Sequence, residues 1–228
     1  MRLVRLILGD FYFQMKYGIL LLYCIITLFY LTVLGVVPQE AKITTAVILV
    51  FTDPAAMGLF FMGAVVLLEK SQRVNCSLAV SPMKTSEYLI AKTITFLVTG
   101  TVVGGILSIF AGINKLSLSV LGIALSSALF SLCGLIVAVK VNTLNQFLIA
   151  TVPVEILVVV PALLSLFNIL HSPLWILHPG IAAITLIRYS SEFWYLCVIS
   201  LLFWIGIVFI ISKKVTTLFF AQMGGGKL

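Results

Sequence analysis

"FTDPAAMGLFFMGAVVLLEKSQR", residues 51–73, sets an aspartate and a proline inside an apolar run and closes that run on Glu69, Lys70 and Arg73. Together with the preceding "TTAVILV" it is long enough to cross a bilayer, which takes about twenty apolar residues in helical form. The run is typical of its chain: 62% of the 228 residues are hydrophobic, 9% are charged, and the mean hydropathy is +1.25. No soluble globular domain carries that balance. The period-two alternation of a transmembrane barrel is missing. The expected fold class is therefore an all-α integral membrane protein, a single transmembrane domain over residues 1–228, in which each helix satisfies its own backbone inside hydrocarbon.

Six transmembrane helices can be placed, at Tyr17 to Val37, Thr44 to Leu68, Tyr88 to Ile113, Ser117 to Val139, Phe147 to Leu170 and Phe193 to Ser212. An even number puts both termini on one side. Sorting the basic residues by this scheme gives Arg2, Arg5, Lys16, Lys70, Arg73, Lys84, Lys92, Lys140, Lys213, Lys214 and Lys227 on one side against Lys42, Lys115 and Arg188 on the other. Cytoplasmic loops collect lysine and arginine, so the richer side is expected to be cytoplasmic, with both termini there. The net charge of +7 then reflects topology and anionic lipid headgroups rather than nucleic acid.

Two further segments lie outside the spans. On a helical wheel residues 1–16 put Arg2, Arg5, Gly9, Tyr12 and Lys16 opposite Leu3, Val4, Ile7, Leu8, Phe11 and Met15, the pattern of a helix lying in the membrane interface. Asp10 and Gln14 blur its borders. The segment has charge and apolar residues like a signal peptide but lacks an uninterrupted apolar core and a small-residue cleavage site, so it is expected to be retained. Before the last span, residues 171–192 are apolar but cut by Pro173 and by His178-Pro179-Gly180. Neither half can cross a bilayer, which predicts a pair of short re-entrant or surface helices on the extracellular side, sheltered by protein and capping the bundle.

Acids inside the spans are the first candidates for function, since an ionised side chain there costs about 2.5–3.5 kcal/mol on insertion scales unless it meets water or a partner. Asp53 is expected in the outer half of the second span and Glu155 about two turns into the fifth from the cytoplasmic side. The two could line a path for a cationic amphiphile. Alternatively, Asp53 is the N-cap of a helix starting at Pro54, with "TTAVILVFT" entering as a separate or kinked segment. Glu155 could equally be neutral, or bonded to backbone near Pro153.

The longest cytoplasmic loop, bounded at 69–87 within "EKSQRVNCSLAVSPMKTSEYLIAK", sets Glu69, Lys70, Arg73, Lys84 and Glu87, with Lys92 just beyond, around a short apolar centre from Leu78 to Val80. Such an element could dock its apolar residues in a partner's groove while the charges steer it, or be a solvated connector. Ser81-Pro82 reads as the cap and first turn of the following helix.

Catalytic and metal chemistry find little material. His171 and His178 stand without an acidic or cysteine cluster, and Cys24, Cys76, Cys133 and Cys197 are scattered singly, as packing residues are. The closing "GGGKL" lacks the first glycine, the spacing and the hydroxyl residue of a phosphate loop.

"LLEK" at the end of the second span, followed by "SLAVSPMKTSEYLIAK", resembles the ABC-2-type permeases of ATP-binding-cassette exporters. Within that family "FTDPAAMGLFFMGAVVLLEK", "VKVNTLNQFLIAT" and "SPLWILHPG" look most like bacterial permeases described as fluoroquinolone exporters. The resemblance covers essentially the whole chain. It implies an interface helix at Arg2 to Lys16, a coupling element at Ser71 to Val80 with Glu69 and Lys70 as its hinge, and Arg73, Leu78, Val80 and Pro82 among the residues that contact an ATPase. It further implies that ATP and magnesium are bound by a separate ATPase dimer and that a second permease copy, or a related permease, encloses the pathway. The substrate would be a hydrophobic or amphiphilic drug-like molecule, and the location the bacterial plasma membrane. A self-immunity permease that clears a bacteriocin and a non-transporting anchoring or assembly subunit remain as alternatives.

Overall fold

The computed structural model describes residues 2–52, 57–74, 83–170, 173–189 and 192–223. Every regular element among them is helical. In chain order they are α1 (Arg2–Lys16), α2 (Ile19–Val36), α3 (Gln39–Val50), α4 (Met57–Ser71), α5 (Thr85–Ala111), α6 (Leu116–Lys140) and α7 (Leu144–Leu166). A 3-10 turn (Pro173–Leu177), α8 (Pro179–Arg188) and α9 (Trp194–Met223) complete the list. Among the described residues α2, α5, α6, α7 and α9, five helices, are long and apolar enough to cross a membrane. The protein is thus an α-helical, multi-pass type of chain.

The second expected span, Thr44 to Leu68, is not one described helix but two in series, α3 of 12 residues and α4 of 15. Asp53 and Pro54, between them, lie outside the described residues. Their flanks meet neighbouring positions on one helix: the Phe51 ring stands edge-on to Phe130 at 6.0 Å, and a Cβ on Gly58 would lie 2.8 Å from the Ser131 hydroxyl. Phe130 is well inside α6, so α3 descends to mid-bundle and α4 continues from there. Other boundaries moved for local reasons. α7 begins three residues before Phe147 because the Thr143 hydroxyl caps it, accepting from the Gln146 amide at 3.3 Å. α9 runs past Ser212 to Met223, since nothing in "KKVTTLFFAQM" breaks a helix.

At the centre stands α6, whose apolar window is 61% buried, against 17% for α2. It packs on α4, α5, α7, α8 and α9. Small residues make this possible, because between helices surrounded by lipid tails close backbone approach replaces the hydrophobic drive. A Cβ on Gly134 would land on the Leu59 carbonyl of α4, and one on Gly122 would reach the Leu186 Cβ of α8 at 2.8 Å. The buried Ser127 hydroxyl donates across to the Phe96 carbonyl of α5 at 3.1 Å. Large apolar side chains look outward instead: Ile149 and Leu157 on α7 and Ile199, Phe203 and Ile210 on α9 are all exposed.

Contacts sort the cations to two ends. Lys42 lies 4.7 Å from the Phe110 ring, Lys115 5.5 Å from that of Tyr189, and Arg188 donates to the Leu166 carbonyl at 3.3 Å, which gathers these three cations near the ends of α5 and α7 and the start of α6. At the other end the start of α5 meets the end of α9, where Thr217 and Thr85 hydroxyls lie 3.1 Å apart and Tyr88 and Phe220 stack edge to face at 5.3 Å. Lys70 and Lys140 are at this second end. Lys92, sorted with them from sequence, is inside the bundle and 1% exposed.

Residues 173–188 do more than cap. α8 is buried over most of its length against α3, α6, α7 and α9. The vertex of the segment is tied well below the helix ends: His178 Nε2 lies 3.0 Å from the Leu157 carbonyl, while Ser200 Oγ and Trp204 Nε1 donate to the Leu177 carbonyl at 3.1 and 2.8 Å. Leu157 is nine residues before the end of α7, or about 13 Å at 1.5 Å per residue. Arg188, at the other end of α8, reaches Leu166. His178, at the start of α8, is therefore level with Leu157 and Arg188, at its end, with Leu166.

Candidate functional site

Glu69 and Lys70, consecutive on the last turn of α4, are separated by about 100° around the helix and so address different neighbours. Glu69 faces α5 and α1. Its Oε1 accepts from Lys92 Nζ at 2.7 Å and its Oε2 from the Tyr88 hydroxyl at 2.9 Å. Tyr88 and Lys92 are four apart on α5 and thus on one face, one turn above the other. Lys92 also donates to Asp10 Oδ1 of α1 at 3.0 Å. A buried ammonium must be paired to be tolerated, and here it has two carboxylates. The cluster joins three helices through residues far apart in sequence.

Lys70 turns the other way. Its Nζ donates to the carbonyls of Ala138, Val139 and Val141 at 2.9, 2.9 and 2.7 Å and lies 4.7 Å from the Phe219 ring centre. These carbonyls belong to the end of α6, where a helix leaves its last acceptors unpaired and its dipole is negative. A lysine of one helix thus caps another and touches α9 as well. Beyond it the chain leaves α4 through Arg73, which adopts a left-handed backbone with φ of 57°, and Gln72 bonds to the Tyr17 hydroxyl between α1 and α2.

Leu78, Val80 and Pro82 lie outside the described residues, as does Ser81. The next helix among the described residues starts at Thr85, where the Lys84 amide donates to the Glu87 carboxylate at 3.0 Å and supplies the cap. Glu155 is three turns into α7 instead of two, because that helix starts earlier; it is half-buried and has no hydrogen-bond or ion-pair partner among the described residues. It is not brought together with Glu69 or Lys70. Among the described residues no group of three or more His, Cys, Asp or Glu could hold a metal ion.

Asp10 was legible only as a blur on the first helical wheel, Lys92 only as one more charge of the loop, and Tyr88 not at all, although a signal for the cluster existed. Asp10 and Gln14 disturb an otherwise regular amphipathic wheel four residues apart, on one side. That side is the docked one: Asp10 is mostly covered and Gln14 is 1% exposed. The free half of α1 is divided between apolar Val4, Leu8 and Met15 and the polar side with Arg5, Gly9, Tyr12 and Lys16, all exposed. No protein-family model matches the chain, and comparison with curated proteins gives no significant match.

Proposed function

We propose that this chain is the permease subunit of an ATP-binding-cassette exporter, moving a hydrophobic or amphiphilic substrate outward with ATP hydrolysed by a separate ATPase dimer. α3 and α4 together make one crossing, which with α2, α5, α6, α7 and α9 gives six spans in a bacterial plasma membrane. α1 lies in the inner interface, both termini are cytoplasmic, and residues 173–188 form a re-entrant hairpin from the outer side. Two permease copies enclose the pathway.

The observation that carries the reading is the junction at Glu69 and Lys70. A segment that passes mechanical work from a soluble partner to a bundle needs a stiff root, and here the root of loop 69–87 is joined to α1, α5, α6 and α9 by charged hydrogen bonds and one cation–ring contact.

The test is affinity capture of the chain from its native membrane in mild detergent, with identification of partners and an ATPase assay of the eluate. A stoichiometric ATPase is expected, and it should be lost with Leu78→Asp and Val80→Asp while the permease still enters the membrane. A chain that emerges without an ATPase from several gentle extractions would instead favour the anchoring alternative.

A further inference from the structure

Two polar ties connect α1 to the region where α4 ends. Glu69 holds Lys92, which holds Asp10; Gln72 holds Tyr17 at the end of α1. The remaining inward polar group of α1, Gln14 Oε1, is buried without a hydrogen-bond partner among the described residues. The opposite half of α1 is free, with Val4, Leu8 and Met15 between 58% and 66% exposed beside the basic side chains of Arg5 and Lys16. A buried arrangement of two acids and a lysine adds little net stability over apolar side chains of like volume, but it fixes geometry, since each partner is costly to leave alone. The ties thus constrain where α1 sits relative to α4 and α5 more than they hold the bundle together.

From this geometry we infer that Asp10 and Lys92, with Tyr17, are positioning residues that make α1 move with the end of α4, so that a displacement of the loop root is passed to the interface helix and to the membrane surface it faces. Glu69 is the branch point: through Tyr88 and Lys92 it carries α5, and through Lys92 it carries Asp10. The inference rests on the coupling role proposed for loop 69–87.

Its test is amide hydrogen exchange on the complex of permease and captured ATPase in nanodiscs, with and without ATP plus vanadate, read separately for residues 2–16 and 66–74. In the wild type both peptides should change on ATP binding. In Asp10→Asn with Tyr17→Phe, which leaves the Glu69 and Lys92 pair balanced, residues 66–74 should still respond while the response of 2–16 falls at least threefold. Asp10→Glu with Tyr17 intact should restore it. A response of 2–16 that survives in full in the double variant, or that is absent from the wild type while 66–74 responds, overturns the inference. Should the double variant fail to fold, the same reading is taken on Asp10→Asn, Glu69→Gln, Lys92→Met, whose uncharged cluster keeps the volume; an undiminished α1 response there overturns it equally. No response of 66–74 in the wild type would mean that the coupling reading itself fails.

Discussion

His178 donates from Nε2 to the carbonyl of Leu157, the acceptor that Pro161 leaves without its helical partner. Residue 161 is four after Leu157 and, being proline, has no amide hydrogen to offer, so the bond from the residue that precedes α8 replaces the missing rung of α7. A carbonyl only accepts, which fixes the proton on Nε2. His178→Ala should then cost about 1–2 kcal/mol of stability, and the cost should shrink by half or more when Pro161→Ala restores the rung. Thermal unfolding of the four proteins in one detergent provides the cycle. Additive effects would show that the histidine acts elsewhere.

Lys70 gives a second expectation, because it serves three acceptors at once. Lys70→Met keeps the stem of the side chain and removes every donor, which should lower stability by about 1–2 kcal/mol, the value being reduced by the partial exposure of the site. The loss should be local. Hydrogen exchange over residues 134–141 should quicken while that over 116–125 stays as in the wild type, whereas uniform quickening would argue for general loosening.

These two bonds show what the sequence could and could not convey. Apolar runs and the lysine and arginine bias were enough for a helical membrane chain with two unlike ends, because both are local or additive properties. His178 was visible as part of the interruption at His178-Pro179-Gly180, yet its bond to the carbonyl freed by Pro161 depends on how α8 packs against α7. Lys92 looked like one more lysine on the basic side, since its partner Asp10 is 82 positions away. Glu69 and Lys70 were legible as a charged end to a span; that they hold opposite neighbours follows only from the place of α4 between α5 and α6. That Phe51 stands level with Phe130 in the middle of α6 was not readable, since the two are far apart in the chain.

Close helix approach can be tested at glycines with opposite surroundings. A Cβ at Gly134 would meet the Leu59 backbone of α4, while at Gly9 on α1 nothing lies within 4 Å. Gly134→Ala should therefore destabilise by about 1–3 kcal/mol through forced separation of α4 and α6. Gly9→Ala should stabilise by up to about 1 kcal/mol, the helix propensity of alanine over glycine. Unfolding midpoints that move in the same direction for both would mean that propensity, not packing, governs position 134.

Glu155 offers the sharpest test of the proposed export pathway. It stands near the middle of α7, at the edge of the buried face, with no ion-pair partner among the described residues. An acid at that depth costs about 2.5–3.5 kcal/mol unless something compensates it, so a cationic substrate is the natural partner if the site belongs to the pathway. Glu155→Gln keeps size and hydrogen bonding and removes the charge. Efflux of a cationic probe such as ethidium should fall at least tenfold, because about 1.4 kcal/mol of lost attraction already corresponds to a factor of ten, and efflux of a neutral lipophilic dye should be unchanged. Glu155→Asp, which retains charge on a shorter arm, should fall between. Equal losses for both probes, accompanied by a lowered unfolding temperature, would make Glu155 a structural residue of α7 and leave Asp53 as the acid to examine for substrate contact.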